Sequence, residues 1–447
     1  MKILLTVHQF FPHYSAGTEV LTCSVARELM RRGHMVHVLT GHPSSAALRE
    51  EDRLDEYDFE GIHVYRFHHA YTPMGGQISM IEVGYDNRLA TKYFERVLER
   101  FKPDVVHFFH LNRLGIGLIE YAVRLGIPCF MTPTDFWTIC PTGQLLLGNG
   151  SLCSGPSAHA GNCVKHFAQI TQKGIVGRVA EWLPTAGADL LVQLTQKGVL
   201  PSYPRREEVI AIASRLSINI SRLNQLCGLI VPNGFMRELL IRHGVLPRLI
   251  IQSAFGIDVT SSEGIERRSI PRRPLRVGFV GTLVQHKGCH VLIDAFKALP
   301  LGRAVLLIYG NMEDFPEYST ELKRLADNND AIAFCGTFHN SKIGEVLSDL
   351  DVLVVPSLWY ENTPLVVYSA QVARCPVVAS NFPGISEVIR DGVNGLLFEP
   401  GRPAGLAKQL SRLINEPGLA ERLSINSQQP KSTALYVDEM LSIWEGA

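Results

Sequence analysis

The chain has 447 residues, 46% of them apolar and 19% charged, and its 43 Lys and Arg balance its 43 Asp and Glu. At about 150 residues per domain this length allows two or three domains with large cores, which excludes a small stapled scaffold and a disordered chain. Zero net charge excludes a surface built to wrap nucleic acid, and no run reaches the roughly 18 apolar residues of a spanning helix.

The N-terminus, MKILLTVHQFFPH, holds a short apolar run that His8 and Gln9 interrupt. It reads as a first strand, too short for a signal-peptide core of about 7–15 residues. The expectation is a cytoplasmic protein with reduced cysteines, with peripheral contact on the inner face of a membrane left open. Short apolar runs then alternate with helical patterns, the signature of a doubly wound parallel sheet. Strands are expected at 3–7, 35–40, 63–67, 104–109, 128–132, 229–232 and 249–255. Between the first two, TEVLTCSVARELMRRG places Val20, Leu21, Val25, Leu29 and Met30 on one helical face, with Gly33 as the stop. The alternation restarts with strands at 276–281, 304–310, 331–336, 351–357, 376–380 and 395–400.

The polar stretch SSEGIERRSIPRRP (261–274) is the expected divider between two Rossmann-like lobes, α/β in class, at 1–260 and 275–430. Residues 140–228 break the alternation and read as an insertion in the first lobe. Trp182, Leu183, Leu190 and Leu191 with Lys173 and Arg178 give that insertion an apolar and basic mixture. It suits either a membrane surface or a helical hairpin packed on the lobe. The segment 431–447 is a last helix expected to cross back to the first lobe.

Neither strand-to-helix turn supplies G-x-G-x-x-G, and no G-x-x-x-x-G-K-[ST] loop occurs, which argues against dinucleotide and P-loop chemistry. In GFVGTLVQHKG, Gly281 permits a tight turn and Lys287 falls near the next helix start, where it meets either a phosphate or solvent. The segment Asn362-Thr363-Pro364-Leu365 reads as a helix N-terminus with exposed amides fit for a diphosphate. Glu361 precedes it, as a partner for sugar hydroxyls or as a carboxylate satisfying the helix dipole.

The ordered motifs GTLxxxKG, xYGN, FCGTF, PSLWYENTPLVVYSA and PVVASNFPGISEVIRDGVNGLLFEPG resemble the donor lobe of GT-B retaining glycosyltransferases, specifically family 4. FFPHYSAGTEVLTCSVARELMRRGHMVHVLTG and KPDVVHFFHLNRLG are similar to that family's acceptor lobe. The resemblance implies two lobes facing across a cleft. It implies transfer of a sugar, with retention, from a UDP-, GDP- or ADP-sugar to a glycan or lipid-linked saccharide, with no cofactor beyond the donor. Polysaccharide or glycoconjugate synthesis is the implied setting. It places Lys287 on the donor diphosphate beside Gly281-Thr282, Phe338 along the base, and Glu361, Asn362, Thr363 and Leu365 around the sugar and phosphates. Ala16-Gly17 corresponds to the family's Gly-Gly loop.

Three positions depart from that pattern. Ser369 stands where a second Glu is expected on the ribose, and Thr282 where an Arg is common. Phe109 occupies the position of the second His of His-x-His, leaving His110 one residue further on as the catalytic candidate beside Lys287 and Glu361. A degenerate GT-B protein that binds nucleotide or glycan without turnover is the alternative.

Asp135 and Trp137, just past a strand, suit a sugar's hydroxyls and apolar face on the acceptor side. Cys140, Cys153, Cys163 and His166 are either a structural zinc site or free buried groups. The remaining cysteines, Cys23, Cys129, Cys227, Cys289, Cys335 and Cys375, read as small core residues.

Overall fold

A computed structural model describes residues 1–171, 182–260 and 273–446. The chain divides into two compact units, the first formed by Met1–Pro232, Met236–Ser253 and Val437–Ala447, the second by Asn233–Phe235 and Ala254–Tyr436. The units part after Ser253, earlier than the expected divider, of which 261–272 lie outside the described residues.

In the first unit β1 (Lys2–Val7), β2 (Met35–Pro43), β3 (Leu54–Phe59), β4 (Ile62–His69), β5 (Val105–Phe108), β6 (Cys129–Met131), β7 (Gly228–Val231) and β8 (Ile250–Gln252) form one sheet. Their spatial order is β3-β4-β2-β1-β5-β6-β7-β8. All neighbours are parallel except β3, an antiparallel edge strand absent from the sequence expectation because LDEYDF reads as polar. The central strands are buried on both faces, as their continuous apolar runs require. The helix Gly17–Arg31 buries Leu21, Val25 and Leu29 as expected, but Val20 and Met30 are only half-buried, and Glu19 and Thr22 join the buried face. Gly33 takes φ 84° just past its end.

The insertion supplies the helices Gly161–Thr171, Thr185–Gln196 and Arg206–Leu223. Trp182 is 86% exposed and Leu190 and Leu191 are also exposed, while Lys173 and Arg178 lie outside the described residues. No helix among the described residues is long and apolar enough to cross a membrane. In the final helix, Thr433–Glu445, Trp444 sets its ring 5.5 Å from that of His107 and 6.4 Å from that of Phe130.

The second unit holds β9 (Leu275–Val280), β10 (Ala304–Tyr309), β11 (Ile332–Gly336), β12 (Val352–Val355), β13 (Val377–Ser380) and β14 (Leu396–Phe398). All are parallel in the order β11-β10-β9-β12-β13-β14, the doubly wound Rossmann order. Two apolar clusters cover its faces, one around Val277, Leu292 and Leu306 and the other around Leu353, Val367 and Ile385. Of the cysteines expected in cores, Cys23, Cys129, Cys289 and Cys375 are buried, whereas Cys227 and Cys335 are exposed. Cys227 precedes its strand in a loop, and Cys335 points outward from the edge strand β11.

Candidate active site

In the second unit, the connections of the neighbouring strands β9 and β12 diverge, which opens the crevice where doubly wound folds take ligands. After β9 the chain passes Gly281-Thr282 and enters a short 3-10 turn, Gln285–Lys287, before the helix Cys289–Lys297. Gly288 sits at φ 72°, and a Cβ there would stand 1.9 Å from the Pro356 carbonyl oxygen, so glycine alone lets this turn lie on the exit of β12. The Leu358 N–H donates to the His286 carbonyl at 2.8 Å and fixes the turn further. Burial, then Lys287, pushes the His286 imidazole down to about 4, so that ring is neutral.

Lys287 Nζ donates to Glu361 Oε1 at 2.8 Å. The same oxygen accepts from Ser357 Oγ at 2.7 Å and from Trp359 Nε1 at 2.8 Å. Glu361 is buried, and this cation with two neutral donors offsets the desolvation of its charge. The two groups that the resemblance assigns to different parts of a donor are thus bonded to each other. Asn362 is 7% exposed, yet neither its Oδ1 nor its Nδ2 has a hydrogen-bond partner. Thr363 Oγ1 donates to the Gly384 carbonyl at 2.7 Å, and a Cβ on Gly384 would stand 1.8 Å from the Glu361 carbonyl oxygen. The helix Leu365–Val372 starts behind Pro364; the Val367 N–H donates to the Pro364 carbonyl at 2.9 Å, and the Leu365 and Val366 amides ahead of it have no intrahelical acceptor. Ser369 Oγ turns back to the Leu365 carbonyl at 3.2 Å, and Phe338 meets Tyr309 edge-on at 5.6 Å between ring centroids.

In the first unit the polar cluster stands beyond β1, β5 and β6. Thr6 and Phe108 are in register, so His8 and His110, each two residues further, emerge side by side. The Phe109 and His110 amides both donate to the Thr6 carbonyl, at 2.9 and 3.4 Å, a local irregularity that leaves Phe109 wholly buried. The rings of His110 and His8 lie 4.1 Å apart. The Asn112 N–H donates to His110 Nδ1 at 3.1 Å, which assigns the proton to Nε2, 3.0 Å from Asp135 Oδ2. That second approach is a charge contact, because its angle is not that of an aligned hydrogen bond. His107 is a packed strand residue: Nε2 meets Thr132 Oγ1 at 2.9 Å, and burial pushes the ring down to about 3.

Asp135 Oδ1 accepts from the Trp137 N–H at 2.7 Å, and the Trp137 ring lies 5.7 Å from that of His110. Sequence reasoning missed the residue that holds this loop. Arg215, 2% exposed in the insertion helix Arg206–Leu223, donates to the Trp137 and Ile139 carbonyls and sits 5.1 Å over the Trp137 ring. Asn219 Nδ2 adds a bond to the Thr138 carbonyl at 2.9 Å. Ala16 and Gly17 are exposed at the start of the first helix, and Thr18 Oγ1 donates to Thr134 Oγ1 at 2.9 Å. His8, Glu19, Ser357 and Trp359 were also missed. The signal for His8 is its place directly past a central strand, and for Ser357 and Trp359 their four- and two-residue spacing from Glu361.

Of the two readings of the cysteine cluster, the geometry supports free groups. Cys140, Cys153, Cys163 and His166 do line one small cavity, but no group of three such ligands among the described residues is arranged to hold a metal ion. Their thiols have other partners: Cys140 Sγ meets Thr142 Oγ1 at 3.3 Å, and Cys153 Sγ accepts from the Gly155 N–H at 3.4 Å. Burial pushes the Cys163 thiol up to about 12, which keeps it protonated.

The chain matches the model of the glycosyl transferase 4-like domain over residues 16–180 and that of the glycosyl transferases group 1 over residues 262–429. It belongs to the family-4-like GT-B glycosyltransferases. The second unit's polar cluster falls inside the matched segments, as do Glu19, His110, Asp135 and Trp137 of the first, whereas His8 and Arg215 lie outside them. Among relatives of this chain is the D-inositol 3-phosphate glycosyltransferase of Actinosynnema mirum, 31% identical over 49% of this chain and 54% of that protein. Another is the alpha-maltose-1-phosphate synthase of Mycobacterium tuberculosis, 32% identical over 34% of this chain and 41% of that one. The chain spans between 38% and 54% of the length of the curated relatives it matches. Anabaena HepE in complex with UDP and glucose shares the fold with a TM-score of 0.67 at 17% identity, all of both chains being covered. The sucrose-phosphate synthase of Thermosynechococcus elongatus does so at 0.64 and 15%, over 100% of this chain and 98% of that one.

Proposed function

We propose that the protein moves a sugar, with retention at the anomeric carbon, from a nucleotide-sugar donor to a glycan or lipid-linked saccharide acceptor. The observation that carries this reading is the arrangement past β9 and β12: Lys287 bonded to Glu361, the unpartnered buried side-chain amide of Asn362, and the Leu365 and Val366 amides at the start of the helix Leu365–Val372. Breaking a glycosyl–phosphate bond leaves negative charge on the diphosphate, so the main task is stabilising that charge. Lys287 turns from Glu361 to the diphosphate, and the helix amides add their dipole. Glu361, released from Lys287 but still held by Ser357 and Trp359, accepts from sugar hydroxyls. Asn362 gains the partners it lacks.

On the acceptor side, the resemblance gives His110 the role beside the reacting sugar; Asp135 and Trp137, which contact it, suit a sugar's hydroxyls and apolar face. The acceptor hydroxyl attacks from the face the diphosphate leaves, and the departing phosphate takes its proton. HepE, solved with UDP and glucose and with UDP-glucose, supports UDP-sugars as the first donors to test. WaaG, a structural neighbour described as involved in lipopolysaccharide biosynthesis, supports a cell-surface glycoconjugate as the product class.

The test is a panel of UDP-, GDP-, ADP- and TDP-sugars, read by thermal shift and slow nucleotide release with and without EDTA. Selective stabilisation and release by one donor class, both lost in Lys287→Ala and Glu361→Ala, is the expected result. Stabilisation without release in the presence of broad acceptor mixtures would move the protein to the non-catalytic class.

A further inference from the structure

Glu19 is a wholly buried carboxyl at the third position of the first helix, and the donor-side chemistry makes no use of it. We propose that Glu19 is a positioning residue whose carboxyl, acting through the ring of His8, sets the orientation of His110 and the field across its ring. The inference rests on the reading that places His110 beside the reacting sugar.

Three contacts carry it. Glu19 Oε1 lies 3.7 Å from His8 Nε2, and the His8 ring stands 4.1 Å from that of His110. His110 is fixed on its far side, with Nδ1 accepting from Asn112 and Nε2 facing Asp135. The chain of contact therefore runs from the helix through β1's exit to the residue expected at the reacting centre.

The charged and titratable groups around this chain come from every neighbouring element. Gln9 and the amides of Ala16 and Glu19 face the Glu19 carboxyl from β1's exit and the helix start. Arg113, from the segment after β5, bonds the Gln9 side chain at 3.1 Å and reaches the His8 carbonyl at 3.4 Å. Burial, then His110 and Arg113, holds the His8 imidazole well below its ordinary value, so His8 is neutral. Burial pushes the Glu19 carboxyl up to about 7, against the smaller opposing pull of those amides, Gln9 and His110. The proton of the Glu19–His8 pair accordingly rests on Glu19 and leaves near neutral pH. The resulting carboxylate changes the field across the two rings, and the acid does not.

A carboxylate at this helix position also reaches back to the amide preceding the helix, which by itself would be a structural role. Glutamine fills that role equally, so Glu19→Gln separates the two. The primary readout is histidine side-chain NMR of the ligand-free protein between about pH 5.5 and 8.5, with far-UV circular dichroism confirming the fold. The wild-type His8 and His110 resonances are expected to share a step near pH 7, which Glu19→Gln removes while the fold is kept. With a donor identified, the kcat profile is expected to lose its inflection at the same pH while KM for the donor stays unchanged. A step that persists in Glu19→Gln, or is missing from the wild type, overturns the inference. So does a lost step with an unaltered kcat profile, which leaves Glu19 a capping residue only. If no donor is turned over, the functional reading fails alone, and the NMR result still decides whether Glu19 governs the pair.

Discussion

Lys287 and Glu361 are joined by a 2.8 Å hydrogen bond between Nζ and Oε1, across the gap between the turn after β9 and the loop after β12. Donor binding on the proposed scheme exchanges this bond for one between Lys287 and a diphosphate. Lys287→Met keeps the stem and removes the charge. A hydrogen bond to a charged group contributes about 1.5–3 kcal/mol, so nucleotide diphosphate affinity should fall roughly 10- to 150-fold. Isothermal titration calorimetry checks it, and an unchanged Kd would remove Lys287 from the donor site.

Gly288 and Gly384 hold the two sides of this site at van der Waals limit. A methyl group would stand 1.9 Å from the Pro356 carbonyl oxygen in one case and 1.8 Å from that of Glu361 in the other. Neither neighbour is a flexible side-chain tip, so the backbone itself must move. Gly288→Ala and Gly384→Ala should each lower unfolding free energy by about 2–4 kcal/mol in urea titrations and weaken donor binding. An Ala variant of full stability would show that these turns can relax.

Glu19 gives a pH dependence of defined sign. Its carboxyl titrates at about 7 in the fold against 4.5 unfolded, so folding raises its pKa. The stability it contributes is present below 4.5 and is lost as pH rises through about 7, a difference of about 3 kcal/mol. Glu19→Gln should match the wild type near pH 5 and exceed it near pH 8 in urea midpoint. Equal gains at both pH values would show that the carboxyl is not the titrating group.

Arg215 links the insertion to the acceptor-side loop through the Trp137 and Ile139 carbonyls. Arg215→Met leaves those carbonyls buried without a donor, at a cost of about 2–4 kcal/mol. Tryptophan fluorescence should shift to the red, and KM for the acceptor should rise while donor affinity is retained. A loss confined to donor binding would contradict the assignment of this loop.

The cysteine cluster makes a further prediction about metal removal. With thiols hydrogen-bonded to Thr142 and Gly155 in place of an ion, prolonged dialysis against a chelator should leave Tm unaltered. A large drop, restored by zinc, would favour the structural zinc site instead.

Strand positions were legible from sequence because each is local, and the proposed donor segment is local too. Buried parallel strands must be short apolar runs, and the residues proposed to grip a diphosphate lie in one continuous segment, Ser357 to Ser369, opposite the turn that carries Lys287. The charged edge strand β3 was illegible because an edge needs no apolar run. Cys227 and Cys335 followed apolar neighbours but faced outward, since side-chain direction near a strand end is set by the sheet and not by composition. The acceptor-side cluster was beyond sequence reasoning in a stronger sense. Its members come from residues 8, 19, 110, 135 and 215, and only the register of β1 against β5 and the packing of an insertion helix bring them within contact. Whether Glu19 caps a helix or titrates, and whether His110 faces Asp135 or the core, depends on burial and on one shared acceptor, the Thr6 carbonyl. These are properties of the folded chain, because desolvation and contact exist only once distant segments exclude water together.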